Sequence, residues 1–251
     1  MMSITFLMFV SPFCAALTIP SAPPDSRRLI LVRHGAVNRE MHNPPIKAGA
    51  LYGGDLEVPL SELGEAEAVA AAVCIGEELG SEVRLVCSSP MLRAIFGANA
   101  IAAEVQPRMV GRLDITTYEL LREIGRGQWT NLTRDEIAAQ WGDDAFDRCA
   151  REDDFGRSVG GEGIGDLRER VMVARDYILK KLQPGTAAVV VSHMWVTRTI
   201  LADALGESNV LNVDVPTASI SVVDCESRPA AAYCCLFLRL YLRLFLRLCL
   251  R

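Results

Sequence analysis

The chain has 251 residues, half of them hydrophobic, a formal net charge of -5 and a sequence pI near 5.3. This length suits one sizeable α/β domain with tails, and the acidic balance argues against a nucleic-acid binder, which carries a basic surplus. The eight cysteines form no C-x-x-C and there are three histidines, so the pattern predicts neither a structural zinc site nor a disulfide framework.

Residues 1–27 read as a leader. An apolar run from Ile4 to Ile19 is broken at Ser11-Pro12, with small residues at Cys14-Ala15-Ala16 as a candidate cleavage region. It is too short and interrupted for a membrane span. It points to the secretory pathway or an organelle, with the cytoplasm as the alternative.

Strands and helices then alternate from Arg28 to Asp224. RLILV (28–32) is a buried-type strand. SELGEAEAVAAAVCIGEEL (61–79) is a helix with Ser61 as N-cap, read as packing with no site implied. VRLVC (83–87) is a second strand, and a helix opened by Pro90 follows. TRDEIAAQW carries a capping-box pattern at Thr133 and Glu136. In 166–182, Leu167, Val171, Ala174, Ile178 and Leu182 share one helical face. TAAVVVS (186–192) is a third strand, followed by the helix WVTRTILADAL, and ASISVVDC is a last strand. This alternation predicts an α/β fold of three layers, a mostly parallel sheet flanked by helices, with residues 28–224 as one domain.

Residues 225–251 form a Leu/Arg-rich low-complexity tail ending in LFLRLYLRLFLRLCLR. In a helix its arginines at 239, 243, 247 and 251 would drift by roughly 40° per step into a basic stripe. That stripe would suit weak membrane-surface contact; an extension without a role is the plainer expectation.

Parallel sheets bind ligands beyond the carboxyl ends of their strands. The first predicted strand ends at Arg33-His34-Gly35, the second at Ser88-Ser89 ahead of Arg93, the third at Ser192-His193. Three strand ends thus carry two arginines and two histidines toward one edge. Arginine holds phosphate through planar multidentate hydrogen bonds, and two guanidiniums disfavour protonation of a nearby imidazole. A neutral His34 can then attack phosphorus. His193, if protonated, would add a cation for the developing charge. Glu123, in the apolar, Gly-rich loop LLREIGRGQW, is the candidate general acid, with Glu119 and Glu162 as alternatives. Asn38 and Ser89 are further candidates for phosphate contact. His42 reads as a loop residue, Trp129 and Trp195 as core or pocket wall, and the stretch from Met41 to Leu51 as a candidate lid or rim.

These residues carry a resemblance. LVRHG, YGGDLEVPLSELGEAEA, CSSPMLRA, LREIGRGQW, GGEGIGDLRERV and VVVSHMWVTR, in this order, resemble the signature segments of the histidine phosphatase superfamily, the phosphoglycerate mutase-like family, in its phosphatase branch. The resemblance implies a phosphohistidine on His34, no metal and no cofactor. It also implies a phosphate pocket of Arg33, Arg93 and His193, with Glu123 as proton donor and then as base for water.

The chain departs from the family pattern at Ala36-Val37, where polar residues are usual. It also departs at Glu40 in place of an Asn, at Met194 after the second histidine, and at Gly163. The expectation is a metal-independent phosphomonoester hydrolase acting on a small phosphorylated metabolite. The alternatives are a mutase-type phosphoryl transferase and a weakly active phosphate-binding scaffold. The oligomeric state is not legible.

Overall fold

The computed structural model describes residues 19–226 apart from 110 and 152, together with residues 238–240. Residues 1–18 of the expected leader and most of the expected tail lie outside the described residues.

The elements in chain order begin with β1 (Ser26–Arg33), α1 (Glu62–Leu79), β2 (Val83–Ser88) and α2 (Leu92–Val105). β3 (Asp114–Thr117), α3 (Arg134–Trp141), α4 (Ala145–Arg151) and α5 (Asp153–Ser158) follow. α6 (Ile164–Lys181), β4 (Thr186–Ser192), α7 (Met194–Leu205), β5 (Ile220–Glu226) and β6 (Leu238–Leu240) complete the chain. One sheet has the order β3-β2-β4-β1-β5-β6. β3, β2, β4 and β1 are mutually parallel; β5 runs antiparallel to β1, and β6 antiparallel to β5.

The alternation of strand side chains builds the three layers. Leu29, Leu31, Leu85, Cys87, Ala188 and Val190 face α6 and α7. Their neighbours Ile30, Val32, Val86, Val189 and Val191 face α1 and α2. The predicted stripe Leu167, Val171, Ala174, Ile178 and Leu182 packs on the first of these layers. Both strand faces are covered, which is why the strands read as unbroken apolar runs.

Most predicted elements appear within two residues of their expected limits. Ser61 caps α1 by accepting from Gly64 N, and Thr133 and Glu136 form the capping box of α3. Four features differ. β1 starts at Ser26. Ahead of it Ile19 and Ala22 are buried, and the Pro20 carbonyl accepts a 2.7 Å hydrogen bond from Arg28. Pro90 lies ahead of the N-cap Met91 and so outside the first turn of α2. β3, α4 and α5 were not expected, because they are short and lack a sustained apolar period. Within the tail, Leu238–Leu240 pairs with Ile220–Val222 as an edge strand.

Candidate active site

The parallel strands deliver their carboxyl ends to one edge. β1 ends in Arg33, and His34 follows with its N–H donating to Ser192 O at 3.0 Å. β4 ends at Ser192, and His193 is the N-cap of α7. The two imidazoles meet with ring centroids 5.2 Å apart, and both are buried. β2 ends at Ser88, placing Ser89 with its Oγ 2.7 Å from His193 Nε2. The short β3 brings a fourth strand end to the same edge, and the loop after it carries Glu123.

Each side chain is fixed by identifiable bonds. His34 Nδ1 lies 2.7 Å from the Gly35 carbonyl. A carbonyl only accepts, so Nδ1 carries the proton and Nε2 keeps its lone pair. Arg93 donates to the Leu56 and Gly53 carbonyls at 3.1 and 3.3 Å, and Arg33 donates to Val215 O at 2.6 Å. The Nε atoms of both arginines, and His193 Nδ1, are buried without a hydrogen-bond partner among the described residues. Buried arginine donors of this kind, close enough to act on His34, have the chemistry to hold an anion.

Glu123 is 7 % exposed, and its carboxylate accepts from Ile124 N at 3.0 Å and from Trp195 N at 3.2 Å, in the first turn of α7. The alternative carboxylates are engaged elsewhere. Glu119 is exposed and paired with Arg122 at 3.1 Å, and Glu162 is paired with Arg170 at 2.5 Å. A cavity of about 330 Å³ beside this loop is lined by Glu123, Arg122, Glu162 and Arg170, and neither histidine lines it. The Glu162–Arg170 charges there satisfy each other, unlike those around His34.

Burial, then the charges of Arg93 and Arg33, hold the His34 pKa well below its usual 6.5, against the raising effect of the Gly35 carbonyl. Burial, then His34 and the same arginines, lower His193 as well. His193, which would add a cation if protonated, thus has like charges around it that disfavour its protonation.

Other expected residues fall as follows. Asn38 Oδ1 accepts from Glu40 N and Met41 N at 3.1 and 3.3 Å, so its carbonyl is taken up in a local turn and only its amide group remains available. His42 binds the Pro44 carbonyl within a loop. Trp129 and Trp195 are both core. The stretch before Leu51 is tied to the turn ahead of α3, Lys47 N donating to Asn131 Oδ1 at 2.9 Å.

Two contributors were missed. Glu67, on the helix read as packing alone, is buried and accepts from Ala36 N at 2.8 Å, which anchors the turn beside His34. Arg126 is 4 % exposed and stacks on Trp195. Its signal was an arginine between two glycines in an otherwise apolar loop. Among the described residues no group of three or more His, Cys, Asp or Glu side chains is placed to hold a metal ion.

The family model of the histidine phosphatase superfamily (branch 1) matches residues 29–232. The chain belongs to the histidine phosphatase superfamily. A 2,3-bisphosphoglycerate-dependent phosphoglycerate mutase from Methylobacterium radiotolerans is 29% identical over 217 residues, covering 79% of this chain and 96% of the mutase. A glucosyl-3-phosphoglycerate phosphatase from Mycobacterium tuberculosis is 34% identical over 152 residues, 59% of this chain and 60% of that protein. Among solved structures, a mycobacterial glucosyl-3-phosphoglycerate phosphatase superposes with TM-score 0.64 at 24% identity, covering 80% of this chain and 91% of that one. Bacillus stearothermophilus YhfR does so with TM-score 0.66 at 23% identity, covering 84% and 96%. This superfamily fold places the buried cationic edge at the carboxyl ends of the parallel strands. Phosphatases and mutases both occur among its relatives.

Proposed function

We propose that this chain is a metal-independent phosphomonoester hydrolase acting on a small phosphorylated metabolite through a phosphohistidine on His34. The carrying observation is the pair of imidazoles 5.2 Å apart, with unpartnered Nε atoms of Arg33 and Arg93 buried at the same strand ends. The phosphoryl oxygens take the free donors of Arg33, Arg93 and His193, with the Asn38 amide as a further candidate contact. His34 Nε2 forms a bond to phosphorus as the ester P–O bond breaks, and the departing alkoxide takes a proton from Glu123. Glu123, now a carboxylate, removes a proton from water as the oxygen attacks phosphorus. The P–N bond breaks, inorganic phosphate leaves and His34 is restored. The cationic donors lie where charge accumulates on the transferring group.

Acid-labile phosphate on His34 after rapid quench, together with loss of turnover in His34→Ala, is the expected result. Turnover by His34→Ala at the wild-type rate sinks the proposal. Similarity to a mutase over nearly its whole length favours phosphoryl transfer as a second reading. Interconversion of 2- and 3-phosphoglycerate faster than phosphate release would select it.

A further inference from the structure

A proton donor must be held at the leaving oxygen, yet the chain around Glu123, from Arg122 to Arg126, runs without helix or strand. Two sets of bonds fix its backbone. In the first, Gly54 N donates to Ile124 O at 3.0 Å, and Arg126 N donates to Asp55 Oδ2 at 2.6 Å. The second set comes from the start of α6. Arg170 donates from Nε and Nη2 to the two carboxylate oxygens of Glu162, at 2.5 and 2.8 Å. Its Nη1 donates to Leu120 O at 2.7 Å and its Nη2 to Glu123 O at 3.4 Å. Glu162 N in turn donates to Gly125 O at 3.0 Å. Arg170 and Glu162 together thus hold the backbone before, at and after Glu123.

Arg170 stands on a firm base, because Leu167 and Val171 of the same helix are fully buried in the core. A planar guanidinium serves a carboxylate and two carbonyls at once, which an ammonium, donating from a single point, cannot span. The Arg170 and Glu162 side chains are each 19 % exposed. Ion pairs open to solvent contribute little to global stability. The consequence of this pair is therefore local, on the loop that it grips. Displacing a reacting group by about 1 Å costs on the order of 100-fold in rate.

We propose that Arg170, braced by Glu162, is a positioning residue for the proton donor: its bonds to the Leu120 and Glu123 carbonyls hold the Glu123 carboxyl at the leaving oxygen. This rests on the hydrolase reading above. The test compares phenyl phosphate with p-nitrophenyl phosphate, two esters of similar size. Phenoxide is the more basic leaving group and depends more on the proton. kcat/KM reports the steps up to its departure, before Glu123 serves as base for water. Arg170→Gln should lower kcat/KM for phenyl phosphate by roughly 10- to 100-fold, and for p-nitrophenyl phosphate by much less. Arg170→Lys should fall between. Added to Glu123→Gln, Arg170→Gln should leave the ratio of the two esters where Glu123→Gln alone puts it. The Arg170 charge also helps to lower the His193 pKa. That effect bears on the phosphoryl group common to both esters and leaves their ratio unchanged. Equal losses on both esters, or unchanged kcat/KM for phenyl phosphate in folded Arg170→Gln, overturns the proposal and leaves the hydrolase reading standing. If Arg170→Gln does not fold, Arg170→Lys decides by the same criterion. If the wild type hydrolyses neither ester, the hydrolase reading fails and the proposal with it.

Discussion

Substituting Gly64 by Ala sets two physical effects against each other. Gly64 lies in the first turn of α1, where helix propensity favours Ala over Gly by about 1 kcal/mol. Propensity alone predicts a stabilised protein. The tertiary structure predicts the reverse, because a Cβ at this position would lie 1.8 Å from the Ala36 carbonyl oxygen and 2.8 Å from its nitrogen. Gly35, from the other side, has only 2.1 Å between its own ideal Cβ position and the Gly64 carbonyl. The turn after His34 and the start of α1 are thus in backbone contact. An ordinary contact begins at 3.4 Å, so the oxygen must retreat by about 1.6 Å. That oxygen belongs to the residue after Gly35, whose own carbonyl orients the His34 ring. Misplacement of a reacting group by about 1 Å costs on the order of 100-fold in rate. Gly64→Ala should therefore lower kcat/KM for p-nitrophenyl phosphate by about 100-fold and lower the melting temperature. The comparison is Gly97→Ala in α2, where the nearest atom, Val191 Cγ1, stands at 3.3 Å and little need move. A Gly64→Ala protein with wild-type kcat/KM and an equal or higher melting temperature would refute the steric argument.

Arg28 is fully buried, with bonds of 2.7 and 2.9 Å to Asp224, 3.1 Å to Glu82 and 2.7 Å to Pro20 O. Arg28→Met leaves two carboxylates without their cation, and urea denaturation should show a loss of about 3–5 kcal/mol; less than about 1 kcal/mol would contradict the burial. His34 and His193 both have lowered folded-state pKa values, so below pH 6.5 the unfolded chain binds protons that the folded chain does not. Stability therefore falls with decreasing pH from 6.5 until the folded pKa values are reached, by up to about 1.4 kcal/mol per pH unit for each histidine. Measured against His34→Gln/His193→Gln at pH 8, 6 and 5, the wild type should lose the extra stability below pH 6.5, and parallel curves would disprove it. Burial pushes the Cys87 thiol up to about 12, against the opposing charge of Lys181. Cys87 should resist a thiol reagent at pH 8 until the protein unfolds, and labelling of the native protein at the rate of a free thiol would count against its burial.

The central strands, α1, α2, α6 and α7 were legible because both signals that reveal such elements were strong. The strands are continuous apolar runs covered on both faces, and α6 repeats its apolar side chains with helical spacing. The short β3, α4 and α5 carry neither signal and were not read. His34, Arg33, Arg93 and His193 were legible for a related reason. Parallel strands end on a common edge, so polar residues just past three apolar runs are brought together whatever the loops between them do.

Glu123 was recognisable as a carboxyl in a Gly-rich loop. That Glu119 and Glu162 each pair with an arginine was not legible, because only the folded chain decides such pairs. Glu67 and Arg126 depended on it entirely. One sits on an Ala-rich helix and contacts a turn 31 residues away, and the other rests on the indole of Trp195. The lowered pKa of His193 likewise follows from burial and from His34, Arg93 and Arg33 around it. Local sequence determined which segments are strands, which helices cover them, and which functional groups stand at the strand ends. The tertiary structure decided which charges are compensated and which remain free, because compensation depends on distance between side chains that the chain order holds far apart.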